Sequence, residues 1–307
     1  MNATRYTLSC LIFLQAFSLF AQQNGDPDFK PEISQTTYGV NKGPRVLIDE
    51  GHNNFHTLEG RYQSFAKVVA ADGYQVGAMK GEITPEKLSD CRILVISNAL
   101  HESDQSEWIV PNPSAFTKAE IESLNAWVKD GGSLFLIADH MPFPGASGEL
   151  AASFGFEFRN GFALELERRG GTLFSRSSYR LSSNILSNGR GGKEQVDSIY
   201  SFTGQGFKIP EEAHSVLALG ADFQSLEPDT AWRFKPSTPS ISLEDHHQLA
   251  YLEYGNGRLV VSGEAAMFSA QLAGAQKRKI GMNAPYAKDN YKLLLNIIRW
   301  LDHQLNE

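Results

Sequence analysis

Apolar residues along this chain fall into two alternating patterns. Short unbroken runs rich in β-branched residues read as buried strands, and apolar positions three and four apart read as helix faces. "RVLID" (45–49), "YQVGAM" (74–79), "RILVISN" (92–98) and "SLFLIAD" (133–139) are the strand-like runs. After the first, Leu58, Tyr62, Phe65, Val68 and Val69 keep helical spacing. Between the third and fourth, Thr117 stands three residues before Glu120, which is the spacing of a capping box. Ile121, Leu124, Trp127 and Val128 give the helix it opens an apolar face, and "DGG" (130–132) ends it. "GASGELAASFGF" (145–156) predicts a short helix entered through Pro142 and Pro144. Strands alternating with helices imply a parallel sheet covered on both faces, a doubly wound α/β fold.

Residues 157–245 break that rhythm. They are rich in Gly, Ser and Arg with short apolar pieces such as "SVLALG" (215–220), and read as a long insertion or subdomain beside the sheet. Strand-like runs return at "LAYLEYGNGRLVVSGE" (249–264), where two strands flank a tight turn. A helical stripe of Tyr291, Leu294, Leu295, Ile298 and Leu301 closes the chain.

The beginning carries a different signal. Arg5 is the only charge before Asp26, and the apolar run 8–21 has the length of a signal-peptide core and is short for a membrane span. The expectation is an exported protein, periplasmic or secreted, with residues 1–21 removed, 22–43 as a polar linker and 44–307 as the α/β domain. Loss of Arg5 would take the net charge from −7 to −8. That balance excludes the basic surface a nucleic-acid partner needs and leaves cations and neutral ligands open. Cys10 lies in the leader, so Cys91 would be the one remaining cysteine and no internal disulfide could form.

The strand ends suggest the candidate chemistry. In open α/β sheets, ligands bind beyond the carboxyl ends of the strands. The first strand ends at Asp49-Glu50 with His52 and His56 beyond, and the third at Asn98 with His101 and Glu102 beyond. The fourth ends at Asp139-His140, and the late strand at Glu264. Imidazoles and carboxylates together suit a divalent metal, zinc foremost, with His52, His56, Asp139 and His140 as ligands. Without a metal, His140 or Glu264 could act as general base, assisted by Asp139. Asn98, Asp49, Glu50 and His101 would then contact substrate. Each residue also has a structural reading. Asp49, Asp139 and Glu264 could cap the helices after their strands, and His56 could be a packed loop histidine. Cys91 precedes its strand and falls on the opposite edge. No nucleophile elbow, Walker loop or dinucleotide fingerprint is present. Arg190 and Gln205 could reach a ligand from the insertion, or serve in turns.

"GGSLFLIADHMPFPGA", "VDSIYSFTGQGF", "SGEAAMFSAQL" and "GMNAPYAKDNYKLLLNIIRWL" resemble blocks of an uncharacterised bacterial family. It is a domain of unknown function in the class I glutamine-amidotransferase-like superfamily, near the trehalose-utilisation-type and intraflagellar-transport-type domains. The resemblance spans roughly residues 44–303 and implies a flavodoxin-like sheet. It supplies no activity. Glutamine amidotransferases carry a cysteine where this chain has Asp139-His140, so cysteine-dependent glutaminase chemistry is not expected. Trehalose-utilisation-type proteins often place histidine there, which singles out His140. Two functions remain: a hydrolase or lyase on a small polar or sugar-like substrate, or a non-catalytic module binding a glycan or protein. Burial of the polar cluster would favour the first, and exposure beside aromatics such as Phe143 or Phe202 the second.

Overall fold

The computed structural model describes residues 23–166 and 170–306, so the expected leader lies outside the described residues. One sheet of nine strands organises the chain. In chain order they are β1 (Arg45–Asp49), β2 (Gln75–Met79), β3 (Ile93–Ser97), β4 (Ser133–Ile137), β5 (Glu157–Phe158), β6 (Phe207–Lys208), β7 (His214–Ala218), β8 (His247–Tyr254) and β9 (Gly257–Ser262). Five are parallel and run in the order β2-β1-β3-β4-β9. The hairpin partner β8 then continues the sheet antiparallel, carrying β6 and β7, with β5 beyond β6.

The parallel strands are continuously apolar because both faces are covered. Val46, Ile48, Val95, Phe135, Ile137 and Val260 pack under helices α1 (Gln63–Ala71) and, from the chain's end, Asn290–Leu301. Leu47, Leu94, Ile96, Leu134, Leu136 and Val261 face the opposite way, under α2 (Lys118–Lys129) and α3 (Phe143–Ala152). Numbered in the same way, the C-terminal helix is α4. Thr117 and Glu120 form the reciprocal capping box read from sequence. Helix α1 starts later than the spacing from Leu58 suggests. Thr57 O accepts from both Gly60 N and Tyr62 N, and Glu50 Oε1 accepts from Leu58 N, so those amides are held in turns. Helix α3 starts two residues before the predicted Gly145, with Pro144 in its first turn, where a missing N–H costs nothing.

The insertion is woven into this frame. It supplies β5, β6 and β7 and adds a three-stranded sheet of Phe162–Glu165, Phe223–Leu226 and Ser240–Ser242. Its Phe174, Ile199, Val216 and Phe223 share one core with α1 and α4. Residues 23–43, read as a linker, are bound to the body. Gln23–Gly25 pairs with Ala270–Ala273, and the Tyr38 hydroxyl donates to Asp302. Beneath them Arg299 of α4 grips Asp72, which caps α1, through two 2.8 Å hydrogen bonds, both side chains being buried. No helix among the described residues is long and apolar enough to cross a membrane.

Candidate functional site

Strand register explains the convergence of polar groups. Ser97, Ile137 and Ser262 lie on one rung across β3, β4 and β9. The residues just beyond that rung, Asn98, Asp139 and Glu264, therefore emerge side by side, since neighbouring strands are about 4.8 Å apart. Asn98 sits in the left-handed region at φ 50°, which asparagine tolerates better than most residues. Its Oδ1 accepts from Asp139 N at 2.9 Å, locking the ends of β3 and β4 together.

The loop after β1 behaves differently. The reversal of strand order between β1 and β3 would normally open a crevice for ligand. Here residues 51–56 fill it. Phe55 N donates to Asn98 O, and Leu100 N to His52 O. Gly51 is required by close approach, because a Cβ there would lie 2.2 Å from the Gly81 carbonyl oxygen. Asp49, fully buried, accepts from Gly51 N, from Asn54 Nδ2 and from His52 Nδ1 at 2.9 Å. His52 Nε2 lies 3.0 Å from Glu120 Oε1, the same carboxylate that closes the α2 capping box and accepts from Ile83 N. Burial pulls the His52 pKa down, but the two carboxylates outweigh it and raise it above 6.5. Glu120 is held below its ordinary value by the backbone and side-chain donors around it, against the effect of burial.

The arrangement bears on the expected metal set. Both ring nitrogens of His52 face carboxylates, Asp49 and Glu120, which sets it apart from His56, Asp139 and His140. Among the described residues no group of three or more His, Cys, Asp or Glu side chains is placed to hold a metal ion. The expected substrate contacts divide as well. Asp49 and Glu50 hold the β1 loop. His101 caps the short helix Glu102–Asp104, its Nδ1 bonded to Ser103. Asn98 stays in the cluster.

The groups that do gather are His56, Asn98, Asp139, His140 and Glu264, all buried. His140 Nδ1 lies 2.7 Å from the Met141 carbonyl, so in the neutral ring Nδ1 carries the proton and Nε2 keeps the lone pair. The ring stacks on Phe162 at 4.7 Å, and Trp232 stands edge-on to it at 4.6 Å. His56 packs against Tyr62 at 4.6 Å. Its pKa falls well below 6.5 through burial, with Arg61 and His140 adding positive charge nearby. Glu264 Oε1 and Oε2 accept from Ala266 N and Met267 N, the capping role open to it from sequence. Burial and then the charge of Asp139 nevertheless push its pKa well above 4.5.

Three buried polar atoms in this cluster have no hydrogen-bond partner: His56 Nδ1, Asn98 Nδ2 and Gln205 Nε2. Gln205 is the residue least expected here. It comes from the insertion, its backbone N donates to Gly263 O beside Glu264, and its Oε1 accepts from Arg159 N, while Nε2 has no partner. The motif "FTGQGF" was its only signal in the sequence. Cys91 lies at the other end of β3, where burial pushes its thiol up to about 12.

No family model matches this chain, and no curated protein matches it. Solved structures do. The N-terminal domain of mmIFT52 aligns over 84% of this chain and 97% of its own, with a TM-score of 0.58 and 18% identity. The cytoplasmic protein STM3548 from Salmonella typhimurium aligns over 86% and 100%, with a TM-score of 0.50 and 14% identity. A thua-like protein from Bacteroides uniformis aligns over 86% and 94%, at a TM-score of 0.47 and 13% identity. At such identities the first two likenesses establish a shared α/β fold and nothing about chemistry.

Proposed function

We propose that this chain is an enzyme, a hydrolase or lyase acting on a small polar substrate, with His140 as its acid–base residue. The parallel order β2-β1-β3-β4-β9 supports a flavodoxin-like sheet, and the sequence blocks support the glutamine-amidotransferase-like superfamily without its cysteine chemistry. The observation that carries the reading is the set of partnerless buried polar atoms around Asp139 and His140. Native proteins rarely leave such atoms unpaired, and those that remain call for a ligand, a water or a catalytic role. His140 Nε2 accepts a proton from the substrate or a water. Asp139, 8% exposed, meets the substrate, while Glu264, 1% exposed, stands behind it. Glu264, raised by burial and by the neighbouring Asp139 charge, can hold a proton beside the site. A glycan- or protein-binding module would present these groups on an open face. Their burial, and that of Phe143 at 1% exposure, supports the enzyme.

The test is a panel of small esters, amides, glycosides and hydroxy acids, run on the full chain after metal analysis. One class is turned over, and His140→Ala and Asp139→Asn each lower kcat/KM by about 100-fold or more with the unfolding midpoint preserved. Equal turnover by wild type and His140→Ala would remove His140 from the chemistry.

A further inference from the structure

Trp232 combines an unusual backbone with a place beside His140. A bulky residue at φ 64° is a genuine backbone outlier, and strain of this kind persists where the surroundings impose it, often at ligand sites. The indole is also 48% exposed, an unusual cost for a side chain of its size. The segment carrying it is anchored just before the residue. Val110 N donates to Asp229 O, Ala231 N donates to Trp108 O, and Ile109 pairs with Thr230. These bonds hold the approach to Trp232, Arg233 N donates to Thr230 O to close a turn around it, and the indole stands edge-on to His140 and to Phe162, each at 4.6 Å. Phe234 also stands edge-on to Phe162, at 5.2 Å. Pro228, Thr230, Arg233, Lys235 and Pro239 of the same segment line a cavity of about 280 Å³.

We propose that Trp232 is the gate and specificity-determining residue of this site: substrate reaches His140 by displacing the indole, and presents a flat apolar ring face in its place. The inference rests on His140 being the reactive group. The wall exposed when the indole leaves consists of Phe162, Phe234 and the His140 ring. A ring with one apolar face refills that wall, and its polar edge lies toward Asp139 and Asn98. The strained backbone favours this exchange, because a displaced Trp232 can relax its φ.

Diethyl pyrocarbonate labelling, followed residue by residue by mass spectrometry, tests this without a substrate. The reagent acylates an accessible imidazole lone pair, which on His140 is Nε2. In the wild type His140 labels slowly compared with His214, which is exposed on β7. Trp232→Gly removes the indole and tolerates the positive φ. It should raise the His140 rate at least tenfold while the His214 rate stays fixed. Trp232→Phe keeps a ring and should stay within about threefold of wild type, as aromatic packing is largely retained. Indole added to Trp232→Gly at millimolar concentration should slow His140 labelling again. An unchanged His140 rate in Trp232→Gly overturns the gate. Acceleration that indole does not reverse overturns the ring-face specificity. Neither outcome depends on finding turnover, so a failed substrate panel and a failed gate remain distinct results.

Discussion

His52 and His56 stand four residues apart and have opposite electrostatic fates. His52 is drawn into its charged form by Asp49 and Glu120, and His56 is pressed toward its neutral form by burial, Arg61 and His140. His52→Ala would leave two buried carboxylates facing each other, a loss of about 3–5 kcal/mol for a broken buried pair. Urea unfolding should show that gap in full below pH 6.5, the unperturbed value. The folded-state pKa is raised, so the gap should narrow as pH climbs through it. A gap that widened toward pH 9 would mean that His52 is not the proton carrier. At this scale the sequence revealed the residue types and the strand ends that deliver them. It could not reveal that Glu120, far along the chain, would claim His52, because that pairing depends on where α2 packs. Gln205 was open to a ligand role from its motif, but its neighbours come from other elements, so its partners were not legible.

At the scale of elements, local chemistry was legible where it was self-contained. The capping box at Thr117 is an example, since its partners lie within one turn. Thr117→Ala should cost about 1 kcal/mol by the usual measure of a lost cap. Combined with His52→Ala in a double-mutant cycle read by urea unfolding, the losses should fall short of additive, because Glu120 serves both. Additive losses would show that cap and clamp are independent. The α1 boundary was misread because apolar spacing continues through Leu58–Tyr62 while the amides bond elsewhere. The β1 loop has the same lesson. Its acids and histidines looked like a site, yet most of them tie the loop into the crevice, and the unpaired polar atoms gather from one strand over, at the ends of β3, β4 and β9.

Across the whole molecule, the doubly wound pattern was readable because both faces of the sheet are covered by nearby segments. The course of 157–245 was not, since β5, β6 and β7 are short and their partners are remote. The deepest long-range tie is Arg299 on Asp72, with Thr37 bonded to both. Asp72→Asn removes one charge of this buried pair and should cost about 3–5 kcal/mol, seen as a lower thermal midpoint. Helix α1 returns the chain to the amino edge of the sheet, away from Asp139 and His140. Activity per folded molecule should therefore survive, and its loss in folded protein would reveal coupling between the two edges.

The shared rung of β4 and β9 also dictates when the site can exist. Asp139 is synthesised long before Glu264, and the whole insertion must be accommodated before the two strands can zip together. Such distant pairing closes late, because chain entropy is surrendered before the contact repays it. A chain interrupted anywhere before β9 holds Asp139 and His140 with no Glu264 beside them. The cluster of Asn98, Asp139, His140 and Glu264 is therefore completed only when the last strand of the sheet is laid down.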